Sequence, residues 1–88
     1  MAFEKEKNIG MTEATQRIGV SSERLRYWEL KGIISPHYIT RMSKKIRRYS
    51  QEDIELCIEI KRLIEEGYTL QGATRKAKEK LKQSKDNA

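Results

Sequence analysis

The basic side chains of this 88-residue chain are concentrated in one third of its length. Residues 21–48 carry eight basic and two acidic side chains, a surplus of +6 that equals the net charge of the whole chain. Residues 1–20 carry three charges of each sign and residues 49–88 carry eight of each, so both flanks are neutral. Because each phosphate neutralised by Lys or Arg releases a condensed counterion, this concentration favours a nucleic-acid partner. A basic, solvated surface loop is the alternative that charge alone leaves open.

One predicted helix, over about residues 21–31, carries polar side chains suited to DNA recognition. Arg24, Tyr27 and Lys31 recur at i, i+3 and i+7 and therefore share a helix face. A Ser-Ser pair precedes that face and can cap the helix N-terminus, where free N–H groups bind phosphate. Hydroxyl and guanidinium groups at this end can reach base edges in a major groove. An ordinary charged outer face has the same pattern. The candidate contacts are Ser21, Ser22, Arg24, Tyr27 and Lys31.

A second group of basic residues follows Pro36 in a stretch that is too polar for a core helix. We predict a flexible β-hairpin, or wing, over about residues 37–48. Such a wing would contact phosphates on either side of the groove-filling helix. Tyr38 is expected to pack under the hairpin in preference to stacking on a sugar. The basic candidates in the wing are Arg41, Lys44, Lys45, Arg47 and Arg48.

A short helix is predicted ahead of this recognition helix. Met11, Ala14 and Ile18 recur at helical spacing. Thr12 is placed to cap the first turn and Gly19 to end the helix. Two short helices joined by a tight, glycine-containing connection are typical of a helix-turn-helix.

Two longer helices are predicted after the wing. Ser50 and Asp53 approximate a capping box at the start of the third helix, and Gly67 ends it. Thr69 then caps the fourth helix. The third helix is apolar on two sides and should be central to the core. Its apolar residues are Ile54, Leu56, Cys57, Ile58, Ile60, Leu63 and Ile64. The fourth has one narrow apolar stripe, at Leu70, Ala73, Ala77 and Leu81.

Core residues are also predicted outside these stripes. Leu25 and Trp28 fall together on the recognition helix and should point at the core. Cys57 lies among apolar and acidic neighbours, which favours a small hydrophobe over a reactive thiol. These elements predict a mainly α, winged helix-turn-helix domain with three to four helices and a short β-hairpin.

The predicted domain covers residues 9–81, between a flexible N-terminus (1–8) and a flexible C-terminal tail (82–88). One cysteine and one histidine predict neither a metal site nor a cofactor, and His37 is expected at the surface. No catalytic constellation is evident, so we do not expect an enzyme. No apolar run approaches the ~20 residues of a membrane span, and we expect a cytoplasmic, nucleoid-associated protein.

The chain resembles the N-terminal domain of bacterial MerR-type transcription regulators in residues 18–29 (IGVSSERLRYWE), 47–50 (RRYS) and 67–70 (GYTL). The segments occur in the family's order and spacing over residues 9–81. The resemblance implies a homodimer bound to a pseudo-palindromic promoter site in double-stranded DNA, with RNA polymerase as a candidate further partner. It also implies that Arg26 and Tyr27 hold the DNA backbone and that Arg47 is the family's wing arginine, although periodicity places Arg26 off the predicted recognition face.

The chain departs from the family in three places. The wing lacks the glycine that the family often places at its turn, so we expect a longer or looser hairpin. Trp28 stands where the family commonly has tyrosine. The family's long dimerisation helix is missing after Leu81, so a homodimer is expected for the intact regulator rather than for this chain alone.

Two other functions remain open on the sequence. An architectural or excisionase-like DNA-binding protein can share the winged fold, but it would discriminate weakly between sequences. A protein-interaction module would dock a partner on the fourth helix through Leu70, Ala77 and Leu81. The interaction module leaves the charge concentration in residues 21–48 unexplained.

Overall fold

The computed structural model describes residues 8–86, and it describes side chains as far as Gln83. Its elements, in chain order, are α1 (Met11–Ile18), α2 (Ser22–Leu30), β1 (His37–Arg41), β2 (Lys44–Arg48), α3 (Gln51–Glu65) and α4 (Leu70–Asp86). Mostly helical structure with one antiparallel hairpin confirms the predicted winged helix-turn-helix. Residues 1–7 of the predicted N-terminal segment lie outside the described residues, and the predicted boundary at Leu81 falls inside α4.

The helix-turn-helix is formed by α1 and α2. Gly19 ends α1 in the left-handed region, with φ 84°, and its N–H donates to the Thr15 carbonyl at 2.7 Å. Ser21 then caps α2, since its hydroxyl accepts a hydrogen bond from the Arg24 backbone N–H at 3.1 Å. The predicted recognition helix is therefore confirmed to within a residue at each end.

The predicted cap of α1 was wrong. Gly10, in an extended conformation, is the N-cap and makes no side-chain cap hydrogen bond. The reason is a pairing that local sequence does not signal, because Ile9 forms an antiparallel bridge with Tyr49 through hydrogen bonds of 2.9 and 2.7 Å. This bridge keeps the chain extended up to Gly10, so Thr12 lies within the helix.

The wing is tighter than predicted. Arg41 pairs with Lys44, so the turn contains only Met42 and Ser43, with φ of 52° and 67°. Positive φ at both central residues is the geometry of a type I′ turn, which matches the twist of a hairpin and favours Asn-Gly. Here two residues with side chains adopt it, at a cost of about 1–2 kcal/mol each. The turn therefore needs no glycine, but its backbone is strained.

Replacing Ser43 with glycine is expected to stabilise the wing by up to about 1 kcal/mol, because glycine adopts positive φ without steric cost. Amide hydrogen exchange in β1 and β2 should slow relative to the unmodified chain. A matched control is Ser35→Gly, at an exposed position outside the left-handed region, which should slow no exchange. Equal or faster exchange in the Ser43 variant would show that the turn is not strained.

The core joins α3 and α4 to the helix-turn-helix. Ser50 and Asp53 form the predicted capping box, with hydrogen bonds of 3.0 and 3.1 Å. Thr69 caps α4 by accepting from the Gly72 N–H at 3.1 Å. Ile58 does not join the core as predicted, because it is 43% exposed. The buried apolar core comprises Ile9, Ala14, Ile18, Leu25, Trp28, Ile34, Tyr49, Ile54, Cys57, Ile60, Leu63, Ala73 and Ala77.

Candidate nucleic-acid interface

The exposed face of α2 is organised by contacts between residues four apart. Arg24 lies over the Trp28 ring with its guanidinium carbon 5.3 Å from the centroid, and the Lys31 ammonium lies 5.5 Å from the Tyr27 centroid. Trp28 is buried, as its spacing predicted, whereas Tyr27 is 47% exposed. These contacts hold two cations on aromatic rings without removing them from solvent. The face therefore presents charge and an aromatic edge to a partner.

Fewer side chains at the start of α2 are free to contact DNA than the sequence suggested. The Ser21 hydroxyl is already used in capping α2, and Ser22 is only partly exposed. Arg26 is exposed and forms no ion pair with any described residue. The structure thus leaves Arg26 available, although periodicity alone placed it off the face of Arg24.

The wing carries its basic residues on both sides. Residues directly opposite in an antiparallel hairpin share a face, and the faces alternate along each strand. Lys45 lies opposite Thr40 and shares its face with Arg47, while Arg41 and Lys44 lie opposite each other on the second face. The three basic residues near the tip are exposed and form no ion pair among the residues that the structure describes: Arg41, Lys44 and Lys45.

Arg48 has an intramolecular partner. Its terminal nitrogen donates to the Asn8 carbonyl oxygen at 2.5 Å, and its side chain is partly buried. This contact ties the base of the wing to the segment that precedes α1. The Arg48 guanidinium therefore serves the fold.

A three-residue cluster connects the wing to α2. Glu29 accepts hydrogen bonds from the Tyr38 hydroxyl and from Arg47 Nε, the latter at 2.6 Å. The Arg47 guanidinium carbon lies 5.5 Å from the Tyr38 ring centroid. Burial alone would raise the pKa of Glu29, but the hydrogen bonds from Tyr38 and Arg47 outweigh it and lower that pKa. The hydrogen bond that each of them donates to Glu29 raises the pKa of Tyr38 and of Arg47.

This cluster corrects one expectation and gives a predicted contact an intramolecular partner. Tyr38 does not pack beneath the hairpin, because it is 46% exposed and its hydroxyl donates to Glu29. Arg47 is paired with a carboxylate of the recognition helix. No spacing rule links residues 29 and 47, so the sequence carried no local signal for this pair.

Further basic residues on α4 were missed by the sequence reasoning. A shallow depression joins the C-terminal end of α2 to α4, lined by Lys31, Gly32, Ile33, Leu70, Gln71, Thr74, Arg75 and Lys78. Residues 49–88 sum to zero charge, but α4 carries six basic and two acidic residues. Counting charge by predicted helix instead of by chain segment would have found this second basic surface.

Cys57 is buried, as predicted for a small hydrophobe, and burial raises the pKa of its thiol to about 12. Among residues 8–86 no three His, Cys, Asp or Glu side chains are grouped to hold a metal ion. Within the same range, none of the helices has the length and apolar character needed to cross a membrane.

The fold and this surface define a winged helix-turn-helix protein. A family model described as MerR HTH family regulatory protein matches residues 10–80, most of the chain. The chain belongs to this family of DNA-binding regulators. A search of curated proteins found no significant match.

Proposed function

We propose that this protein binds double-stranded DNA sequence-specifically and regulates transcription, with α2 in the major groove and the wing on flanking phosphates. The observation that carries the proposal is an exposed polar face on α2 combined with wing cations that have no ion-pair partner among residues 8–83. In this arrangement α2 reads base edges, while the wing fixes the register of the protein on the duplex. Family membership supports DNA binding in general.

Ser21 caps α2, and each of the other predicted contacts has a role in this proposal. Arg24, beside the capped N-terminus of α2, is the candidate for base contact, and Ser22 supports it there. Arg26, Tyr27 and Lys31 contact the backbone along the helix. Contacts of the wing with phosphate come from Arg41, Lys44, Lys45 and Arg47, whereas Arg48 acts at the wing base.

The larger assembly is part of the same proposal. The family resemblance supports an intact regulator that binds a pseudo-palindromic promoter site as a homodimer, so that each protomer reads one half-site. RNA polymerase is then the partner that responds to the bound promoter. Such a regulator acts on chromosomal DNA in the cytoplasm.

The proposal is tested by fluorescence anisotropy with two labelled duplexes, one from the upstream region of its own gene and one shuffled control. A sequence-specific regulator should bind the upstream duplex more tightly. The log–log dependence of affinity on salt should have a slope of about −4 to −8, because several phosphates are contacted. Equal binding to both duplexes supports the architectural alternative, and no binding at low salt contradicts DNA binding altogether.

A pair of variants separates base reading from phosphate contact. Arg24→Ala should reduce discrimination between the two duplexes by about 1–3 kcal/mol if Arg24 touches a base. The double change Lys44→Ala and Lys45→Ala should weaken binding to both duplexes alike and flatten the salt slope by about 2. Arg24→Lys is the matched control, since it keeps the charge over Trp28 but loses the bidentate fork. Equal losses on both duplexes for Arg24→Ala remove it from base reading.

The fourth-helix interaction module loses support in the structure. Ala77 is fully buried within this chain, and Leu70 and Leu81 are only partly exposed. A stripe that is already used in the core offers little surface to a partner. The charged face of α4 instead continues the basic surface that begins at Lys31.

A further inference from the structure

We infer that Glu29 is a positioning residue: it holds the Arg47 guanidinium of the wing in place to donate to a phosphate of the bound duplex. This inference rests on the proposed function. It assigns a role to an acidic side chain that lies within an otherwise basic surface. It also assigns Arg47 a different role from those of the wing-tip cations.

The geometry distributes the two carboxylate oxygens of Glu29 between two strands. Oε1 accepts from Arg47 Nε at 2.6 Å, and Oε2 accepts from the Tyr38 hydroxyl. Tyr38 and Arg47 are directly opposite in the hairpin register, so both side chains project from one face of the wing toward α2. A single carboxylate on the recognition helix therefore fixes both strands near the base of the wing.

The Arg47 side chain is restrained but not enclosed. The bond to Glu29 uses Nε, one of five N–H donors on the planar guanidinium, which leaves donors at the terminal nitrogens for another acceptor. The Tyr38 ring restrains one side of the guanidinium at 5.5 Å, while the Arg47 side chain remains 31% exposed. Arginine loses rotamer entropy when it binds, and a side chain ordered in advance loses less.

The sign of the electrostatic effect makes the inference testable. A carboxylate close to DNA repels phosphate, so its removal should tighten binding if Glu29 acts only through its charge. If Glu29 acts by holding Arg47, its removal should weaken binding in spite of that lost repulsion. The two explanations therefore predict opposite changes for one substitution.

The experiment compares four proteins on the same upstream duplex: the unmodified chain, Glu29→Gln, Arg47→Ala and the double variant. Glu29→Gln should weaken binding by about three- to tenfold, a range typical of coupled neighbours. Its salt slope should flatten by about 1, as in Arg47→Ala, because one phosphate contact is lost. In the Arg47→Ala background, Glu29→Gln should weaken binding no further.

Two controls separate positioning from charge and from folding. Glu23→Gln removes another carboxylate of α2, one that is exposed and has no partner among the described residues, and it should leave binding unchanged or tighter. Tyr38→Phe keeps the ring but loses the hydroxyl bond to Glu29, so it tests the cluster with a smaller change to the fold. Thermal melts of each variant confirm that the domain is folded at the assay temperature.

The outcomes are distinct. Tighter or unchanged binding by Glu29→Gln overturns the inference, and so does an equal loss with and without Arg47. Both results leave the proposed function intact when the unmodified chain binds the upstream duplex preferentially. Failure of the unmodified chain to bind either duplex overturns the inference and the proposed function together.

Discussion

Replacing Trp28 with alanine should lower the free energy of unfolding by about 3–5 kcal/mol, the usual cost of removing a buried tryptophan. Trp28 is 1% exposed and is the largest fully buried side chain of the core. A domain of this size is stable by only about 5–15 kcal/mol, so this loss would remove a large share of its stability. The cavity would open under the last turn of the recognition helix, and Arg24 would lose the ring on which it rests.

Urea denaturation followed by circular dichroism measures this change. Tyr27→Ala is the matched control, because Tyr27 is an aromatic residue of the same helix that is 47% exposed, and its loss should cost much less. Trp28→Phe should fall between them, since it refills part of the cavity. An unchanged free energy of unfolding for Trp28→Ala would contradict the buried position of this side chain.

The second large effect is a loss of folding stability at alkaline pH. Burial raises the pKa of Cys57 from 9.0 to about 12, with a further contribution from Asp53. Burial likewise raises the pKa of Tyr49 from 10.0 to about 12. Between these values the unfolded chain has released protons that the folded chain still holds, so the free energy of unfolding must fall as the pH rises. The stability that these two groups contribute is complete below about pH 9 and is lost progressively as the pH rises to about 12.

The size of this effect can be isolated with one substitution. Between pH 8 and pH 10.5, ionisation of the cysteine in the unfolded chain should cost about 2 kcal/mol of stability. Cys57→Ala removes that thiol, so its stability should fall by about 2 kcal/mol less than that of the unmodified chain over the same range. Unfolding curves in urea at the two pH values measure both slopes. Equal losses in the two proteins would show that Cys57 ionises normally and is not buried.

Sequence reasoning found the features that depend on neighbouring residues. Ser21 and Ser50 were recognisable as caps because each bonds within three residues of itself. Trp28 was placed in the core by helical periodicity alone. These features are local, so a single sequence is sufficient to predict them.

The features that were missed depend on distant residues or on unusual backbone. The bridge between Ile9 and Tyr49 joins segments separated by two helices and the wing, and no local pattern encodes it. The hairpin turn was expected to be loose because Met42 and Ser43 are not typical of a type I′ turn. The Glu29–Arg47 ion pair requires the wing to be folded onto α2. Candidate interface side chains could be named from charge and spacing, but their intramolecular partners could not.

The anchoring of the wing has a mechanical consequence. At its root, Tyr49 is fully buried and bridged to Ile9, and Arg48 is bonded to Asn8. At its free end, Met42 is 90% exposed. The hairpin is thus held to the rest of the domain at its root, while its tip is exposed to solvent. In the proposed complex, lysines at the exposed end could follow phosphates whose positions vary from one duplex to another, whereas Arg47, paired with Glu29 near the root, would meet the backbone at one fixed place.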